Sequence, residues 1–302
     1  MAGSRDGLVF RPGGGHSAAT MPDDHTPAPL DRPTQAPDCT VANPADAAIS
    51  ARGLVKQYGD GDQAERAVDN LSFDIPFGAS TALLGGNGAG KTTTMAMLLG
   101  LLTPTAGEAR ILGDDMATNR HQVAARMNFS SPYVELPYRL TIRQNLTVYG
   151  KLYGVSDARD RIAHLADDLN LTALLDRPSG QLSAGQKTRL TLAKALINRP
   201  EVLLLDEPTA SLDPDTGDYV RQYLADYLKQ TGATMLLASH NMPEVERLCD
   251  HVLMLRGGKL YDAGAPRALI ERYGRQNLEE VFLDIARQTR AQPQATEPGD
   301  DV

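Results

Sequence analysis

Nine consecutive residues, Gly85-Gly86-Asn87-Gly88-Ala89-Gly90-Lys91-Thr92-Thr93, carry the spacing G-x-x-x-x-G-K-[ST]. Glycines let a backbone curl until successive N–H groups point at phosphate oxygens. A lysine adds charge for the β- and γ-phosphates, and a threonine hydroxyl offers an oxygen to Mg²⁺. Such a loop requires a strand before it and a helix after it, whose positive end strengthens the field. Here the apolar run Thr81-Ala82-Leu83-Leu84 precedes it and a helix-like segment, Met95 to Leu102, follows. In that context a chance Lys-Thr after a glycine-rich turn is the weaker account. Gly86, Asn87, Gly88, Ala89, Gly90, Lys91, Thr92 and Thr93 form a candidate nucleotide-phosphate site, with Lys91 on the β- and γ-phosphates and Thr92 on the metal.

Glu201-Val202-Leu203-Leu204-Leu205-Asp206-Glu207 reads as an apolar strand ending in two acids. A wholly apolar strand belongs in a sheet covered on both faces. Acids at its carboxyl end sit where α/β folds bind ligands. Asp206 is a candidate to hold Mg²⁺ through water, and Glu207 to polarise an attacking water. Taken singly, either acid is equally a solvated residue after a strand. Leu182-Ser183-Ala184-Gly185-Gln186 opens a helix, with Gln186 lying 20 residues ahead of Asp206. Ser183 is a good N-cap, so N–H groups and the helix dipole face an anion there. Alone, Leu-Ser-x-Gly means no more than a capped helix.

In this order, the three motifs resemble those of ATP-binding cassette (ABC) ATPases, over about Ala48 to Leu283. The resemblance implies an α/β fold: a P-loop NTPase with a RecA-like core, an antiparallel β subdomain and an inserted α-helical subdomain. ATP and Mg²⁺ are the implied cofactors. Lys91, Glu207 and His240 take the catalytic roles, His240 matching the family's switch histidine after the strand Met235–Ala238. A lone histidine is more often structural; one at this place is not alone. Thr92 and Asp206 take the metal. Asp213, in Ser211-Leu212-Asp213, matches a loop that reaches across a dimer interface. Tyr58 matches the aromatic residue that stacks on adenine, though an ordinary strand-end tyrosine explains it too. Two chains would sandwich two ATP molecules head to tail, with Ser183, Gly185 and Gln186 of one gripping the nucleotide of the other.

Two residues depart from the family pattern. Ala184 stands where the signature has its first glycine, a mild change unless φ is positive. Family members also place a glutamine just after the strand corresponding to Met127–Ser130, where it meets Mg²⁺. Here the chain reads Asn128-Phe129-Ser130-Ser131-Pro132-Tyr133. Ser131 carries an oxygen next to the expected position and is the candidate substitute; a metal ligated there by water alone is the equal alternative. Beyond it, Tyr133, Leu136, Pro137, Tyr138 and Leu140 form an apolar-aromatic cluster. In the family this neighbourhood receives a coupling helix of a membrane subunit, and ordinary packing explains the cluster as well.

The elements that must position these residues follow from periodicity. Ile49 to Val55 and Leu71 to Ile75 read as strands, and Glu108–Leu112 as a short one. Helical segments are expected from Thr141 to Tyr153, from Ser156 to Leu169 and from Ser183 to Asn198. Strands return at Val202–Asp206, Thr234–Ser239 and Val252–Leu255. The expected organisation is a tail over 1–47, an ABC ATPase domain over 48–285 with a helical subdomain at about 130–199, and a tail over 286–302. The tails are rich in Pro, Gly, Ala, Asp and Thr, a composition that does not bury enough surface to fold.

The bulk composition narrows the partners. A formal net charge of −8 argues against nucleic acid. Two cysteines, Cys39 and Cys249, suggest neither a disulfide framework nor a metal cluster and fit a reducing cytoplasm. There is no secretory signal and no run of about 18 apolar residues to span a bilayer. The single cassette and short C-terminus look like the ATPases of ABC-2-type exporters, whose channel is formed by separate permease subunits. The implied place is peripheral, on the cytoplasmic face of the inner (plasma) membrane. A soluble ABC ATPase uncoupled from transport, or a nucleotide-binding module with weak hydrolysis, stays open as the alternative.

Overall fold

The computed structural model describes residues 46–61, 64–132 and 134–290, and for 287–290 the backbone alone. Nearly all of the expected N-terminal tail, Tyr133 and residues 291–302 lie outside the described residues. Two sheets organise the rest. The first is antiparallel, built from β1 (Ala47–Tyr58), β2 (Glu65–Pro76), β4 (Ala106–Ile111) and β5 (Asp114–Asp115) in the order β2-β1-β4-β5. The second holds β3 (Ser80–Leu84), β6 (Met127–Ser130), β7 (Val202–Asp206), β8 (Thr234–Ala238), β9 (His251–Arg256) and β10 (Lys259–Gly264). Its order is β10-β9-β3-β8-β7-β6, parallel from β9 to β6 with β10 antiparallel at the edge.

The central strands contain no residue that water could solvate at their middles. Every residue of β3 and β8 is buried, as are the first four of β7. Only a sheet covered on both faces accepts such strands. Helix α1 (Lys91–Leu98) helps cover one face: its Met95, Met97 and Leu98 join a core with Leu83, Leu204 and Leu236 of this sheet and Ile49, Leu71 and Phe73 of the other. Helices α3 (Ile142–Leu152), α4 (Ala158–Asp168) and α5 (Ala184–Leu196) are inserted between the paired neighbours β6 and β7, after the four-residue α2 (Arg120–Val123). Then follow α6 (Pro214–Thr231), α7 (Met242–Leu248), α8 (Pro266–Arg272) and α9 (Leu278–Arg290). Among the described residues no helix is long and apolar enough to cross a membrane.

Some boundaries differ from expectation for local reasons. Helix α1 spans Lys91–Leu98 and not Met95 to Leu102, because Gly90 in left-handed conformation turns the loop directly into the helix. Helix α4 has Asp157 at its N-cap, one residue after Ser156. Order also runs past 285, since α9 buries Leu278, Val281 and Ile285 at helical spacing and carries on to Arg290. Helix α9 thus extends five residues past the expected boundary at 285.

One glycine ties the two sheets together at the loop. Gly90 has φ +99, and a Cβ built on it would lie 2.5 Å from the Ala67 carbonyl oxygen of β2. The Gly258 N–H, between β9 and β10, bonds the Ala89 oxygen, and the Asp69 N–H bonds the Gly258 oxygen. The loop is therefore clasped by both sheets, and only a residue without a side chain fits. Gly90→Ala should lower stability by about 1–3 kcal/mol in urea unfolding; an unchanged midpoint would contradict this packing.

Candidate functional site

Three neighbouring strands end on the same side. β3 runs into the glycine loop, β7 ends in Asp206-Glu207, and β8, between them, leads to His240. The register is tight: Ala238 is the partner of both Leu83 and Asp206. Residues far apart in the chain thus meet because their strands are adjacent, at the carboxyl edge where parallel sheets bind ligands.

At this edge His240 Nε2 lies 3.5 Å from Glu207 Oε1. Burial lowers the proton affinity of His240, and Lys91 lowers it further against the pull of Asp206. Both effects favour the neutral imidazole over the charged one, and with it a polar contact over an ion pair. Glu207 is pushed up to about 7, by burial first and then by the neighbouring Glu244 and Asp206, against the His240 backbone N–H and Lys91. A carboxylate so poised is suited to accept a proton. Asp206 is also raised by burial, opposed by a hydroxyl and by Lys91 and His240. Lys91 is lowered by its own burial, with Glu207 and Asp206 holding it up. Its Nζ bonds the Gly85 and Gly86 oxygens. Glu207 occupies left-handed backbone, φ 49, unusual outside glycine and frequent at functional sites.

The hydroxyl on Asp206 belongs to Ser131. Its Oγ donates to Asp206 Oδ2 at 3.1 Å, and the residue is buried. The serine at the position of the missing glutamine therefore touches the acid. Just upstream is an arrangement that sequence reasoning missed. Lys194 of α5 is buried and lowered to about 8 by desolvation. Its Nζ donates to Asn128 Oδ1 at 3.0 Å and the Phe129 oxygen at 2.9 Å. The bonds tie α5 to β6. The only signal in the chain was a lysine interrupting an apolar stretch, Leu190 to Ile197.

Helix α5 starts as expected. Ser183 Oγ accepts from the Gln186 N–H at 3.3 Å, and Gln186 Oε1 accepts from the Ser183 N–H at 3.0 Å, a reciprocal capping box. Ala184 is the first helical residue, where a methyl is at home. Gly185 packs against the Ser211 carbonyl, 3.3 Å from where a Cβ would lie. Asp213 caps α6, its Oδ1 accepting from the Thr216 N–H at 3.0 Å, which holds its carboxyl below the usual range. Tyr58 ends β1 in the other sheet, 47% exposed, with Lys56 Nζ 5.5 Å from its ring centroid. Neither Tyr58 nor Ser183 belongs to the acid–histidine cluster.

Two cavities lie along these elements. One, of about 240 Å³, lies between Ser131, Asp206 and Glu207 and the first turns of α5, with Tyr138 and Leu136 in its wall. The other, of about 500 Å³, is bounded by Gly85–Ala89, residues 254–257 and Phe282 and Ile285 of α9. They share no residue. Asp206 and Ser131, joined by their hydrogen bond, and Thr92 at the start of α1 carry oxygens of the kind that suits a hard cation such as Mg²⁺. Among the described residues no group of three or more His, Cys, Asp and Glu is placed to hold a metal by itself.

Comparison with known proteins gives the same picture. The ABC transporter family profile matches residues 68–210. A Nod factor export ATP-binding protein I from Burkholderia orbicola is 40% identical over 227 residues, covering 74% of this chain and 73% of the relative. One from a Rhizobium species is 37% identical over 237 residues, covering 78% and 76%. A solved ATP-binding subunit of an ABC transporter superposes with TM-score 0.71 at 25% identity, over 79% of this chain and 99% of that one. A dimeric ATP-binding cassette in a post-hydrolysis state, bound to ADP and Pi, matches in fold with TM-score 0.67 at 23% identity, covering 72% and 98%.

The capping box makes a measurable claim about the start of α5. Ser183→Ala should destabilise the protein by about 1 kcal/mol in denaturant unfolding. No loss would mean that the box does not anchor the helix.

Proposed function

The chain belongs to the ABC transporter ATP-binding family, and from that premise we propose that it is the ATP-binding, ATP-hydrolysing subunit of an exporter, working through separate transmembrane permease subunits. The observation that carries this reading is the convergence of Lys91, Asp206, Glu207 and His240 at three adjacent strand ends. The ATPase domain is taken as residues 48–285, with α3–α5 as its helical subdomain at about 130–199. Export is in the name of the relatives described above. In this architecture the cargo path belongs to the membrane subunits, so what transfers from those relatives is the ATPase role. Docking on such subunits would hold the chain peripherally at the cytoplasmic face of the inner membrane.

Phosphoryl transfer to water needs positioning and charge neutralisation more than covalent help. The loop amides of Gly86 to Thr93 would cradle the phosphates, and the Lys91 cation, already half-buried, would turn from backbone oxygens to the β- and γ-phosphates. Tyr58, exposed at the end of β1, would stack on the adenine. Glu207, whose proton affinity is raised by burial, would take the proton of the attacking water. His240, 3.5 Å from Glu207, would orient that water and the γ-phosphate. Asp206, Thr92 and Ser131 would hold Mg²⁺, which when bound neutralises charge on the β- and γ-oxygens. The match in fold to a dimeric ATP-binding cassette supports a second copy as the source of the Ser183, Gly185 and Gln186 contacts, with Asp213 at the interface.

Glu207→Gln should slow ATP hydrolysis about 100-fold or more while ATP affinity stays within about threefold. Turnover at the parental rate would move the base elsewhere. Ser131→Ala should raise the Mg²⁺ concentration for half-maximal hydrolysis several-fold. An unchanged Mg²⁺ dependence would remove Ser131 from the metal site.

A further inference from the structure

Glu244 is the least expected group near the acids. The run Asn241-Met242-Pro243-Glu244 reads as a helix start with a solvated acid in its first turn. Instead Glu244 is 0% exposed. Among the described residues no salt bridge reaches it; each carboxyl oxygen takes one hydroxyl. Thr209 Oγ1 donates to Oε1 at 2.8 Å, and Ser239 Oγ donates to Oε2 at 2.6 Å.

The two hydroxyls lie on the two segments that matter. Thr209 is two residues past Glu207, and Ser239 directly precedes His240. Ser239 Oγ also accepts from the Asn241 N–H at 3.1 Å, and Asn241 Oδ1 accepts from the Glu244 N–H at 3.2 Å. At the strand ends the same two segments are joined once more, by the Glu207 N–H donating to the Ala238 oxygen at 2.8 Å. A buried carboxyl is unfavourable unless its oxygens are satisfied, and a satisfied buried network fixes the geometry of what it binds.

We propose that Glu244 is a positioning residue for ATP hydrolysis, holding the turn that carries His240 at a fixed separation from the turn that carries Glu207. The proposal rests on the reading of Glu207 and His240 as the groups at the reacting phosphate. Glu244 acts through Thr209 and Ser239 and leaves nucleotide binding to the glycine loop. A role in packing alone would weaken the protein without regard to His240; positioning acts through it.

The test is a double-mutant cycle on the full chain, with maximal hydrolysis rate, KM for ATP and urea unfolding read for each protein. Glu244→Ala should lower the maximal rate about 10-fold or more and move KM less than about threefold. Glu244→Gln, which still reaches both hydroxyls, should recover most of the rate. With His240→Ala already present, adding Glu244→Ala should cost less than about twofold, because groups acting as a unit are not additive. Thr209→Val cuts one arm at nearly constant shape and should repeat the pattern at smaller size; it decides the matter if Glu244→Ala does not fold. Equal losses in both backgrounds, or a KM that rises with the loss of rate, would overturn the proposal. If His240→Ala alone hydrolyses at the parental rate, the underlying reading of the site fails, and the proposal with it.

Discussion

Strand adjacency governs this molecule: β3, β8 and β7 are short, buried on both faces and hydrogen-bonded side by side, so whatever follows each of them must emerge within reach of the others. A glycine loop, a histidine turn and a pair of acids follow them. The register of apolar strands that have no alternative face to show to water brings these groups to one edge, and the contacts of the turns themselves then fix their separation. The same crowding desolvates the site, which raises Glu207 to about 7 and lowers Lys91 and His240. The fold thus supplies both the placement and the electrostatics of the cluster.

How much of this was legible in the chain depended on range. The loop Gly85–Thr93, the acid-ended strand Val202–Asp206 and the cap at Ser183 are local patterns, and each lies where the sequence put it. What binds these parts together is long-range and left no pattern. The clasp of Gly90 by Ala67, the bond of Lys194 to Phe129 and the burial of Glu244 each join residues from different elements. Glu244 shows the difficulty best. Its local context, three residues after a capping asparagine, is that of a surface acid, and only the folding of the Thr209 and Ser239 turns around it gives it partners. Helices α6 to α8 and strand β10 also went unread, being polar-faced or short.

The replacement at the metal-side turn has a simple consequence. A glutamine reaches across several ångströms on a flexible stem, whereas Ser131 is short, buried and bonded to Asp206. Behind it Lys194 fastens the same strand to α5. The turn next to the acids is therefore anchored on both sides, by Asp206 and by a buried lysine of α5.

The proposed engine takes a second copy, whose α5 tip would reach the nucleotide held by the glycine loop. Subunit mixing tests that requirement directly. One chain would carry Ser183→Arg, which blocks the donated helix tip, and another Glu207→Gln, which disables the acceptor site; each alone should be inactive. In a mixed dimer one of the two sites combines an intact Glu207 with an intact Ser183, so the mixture should regain ATP hydrolysis that neither protein has by itself. A mixture that stays as inactive as its components would contradict the sandwich.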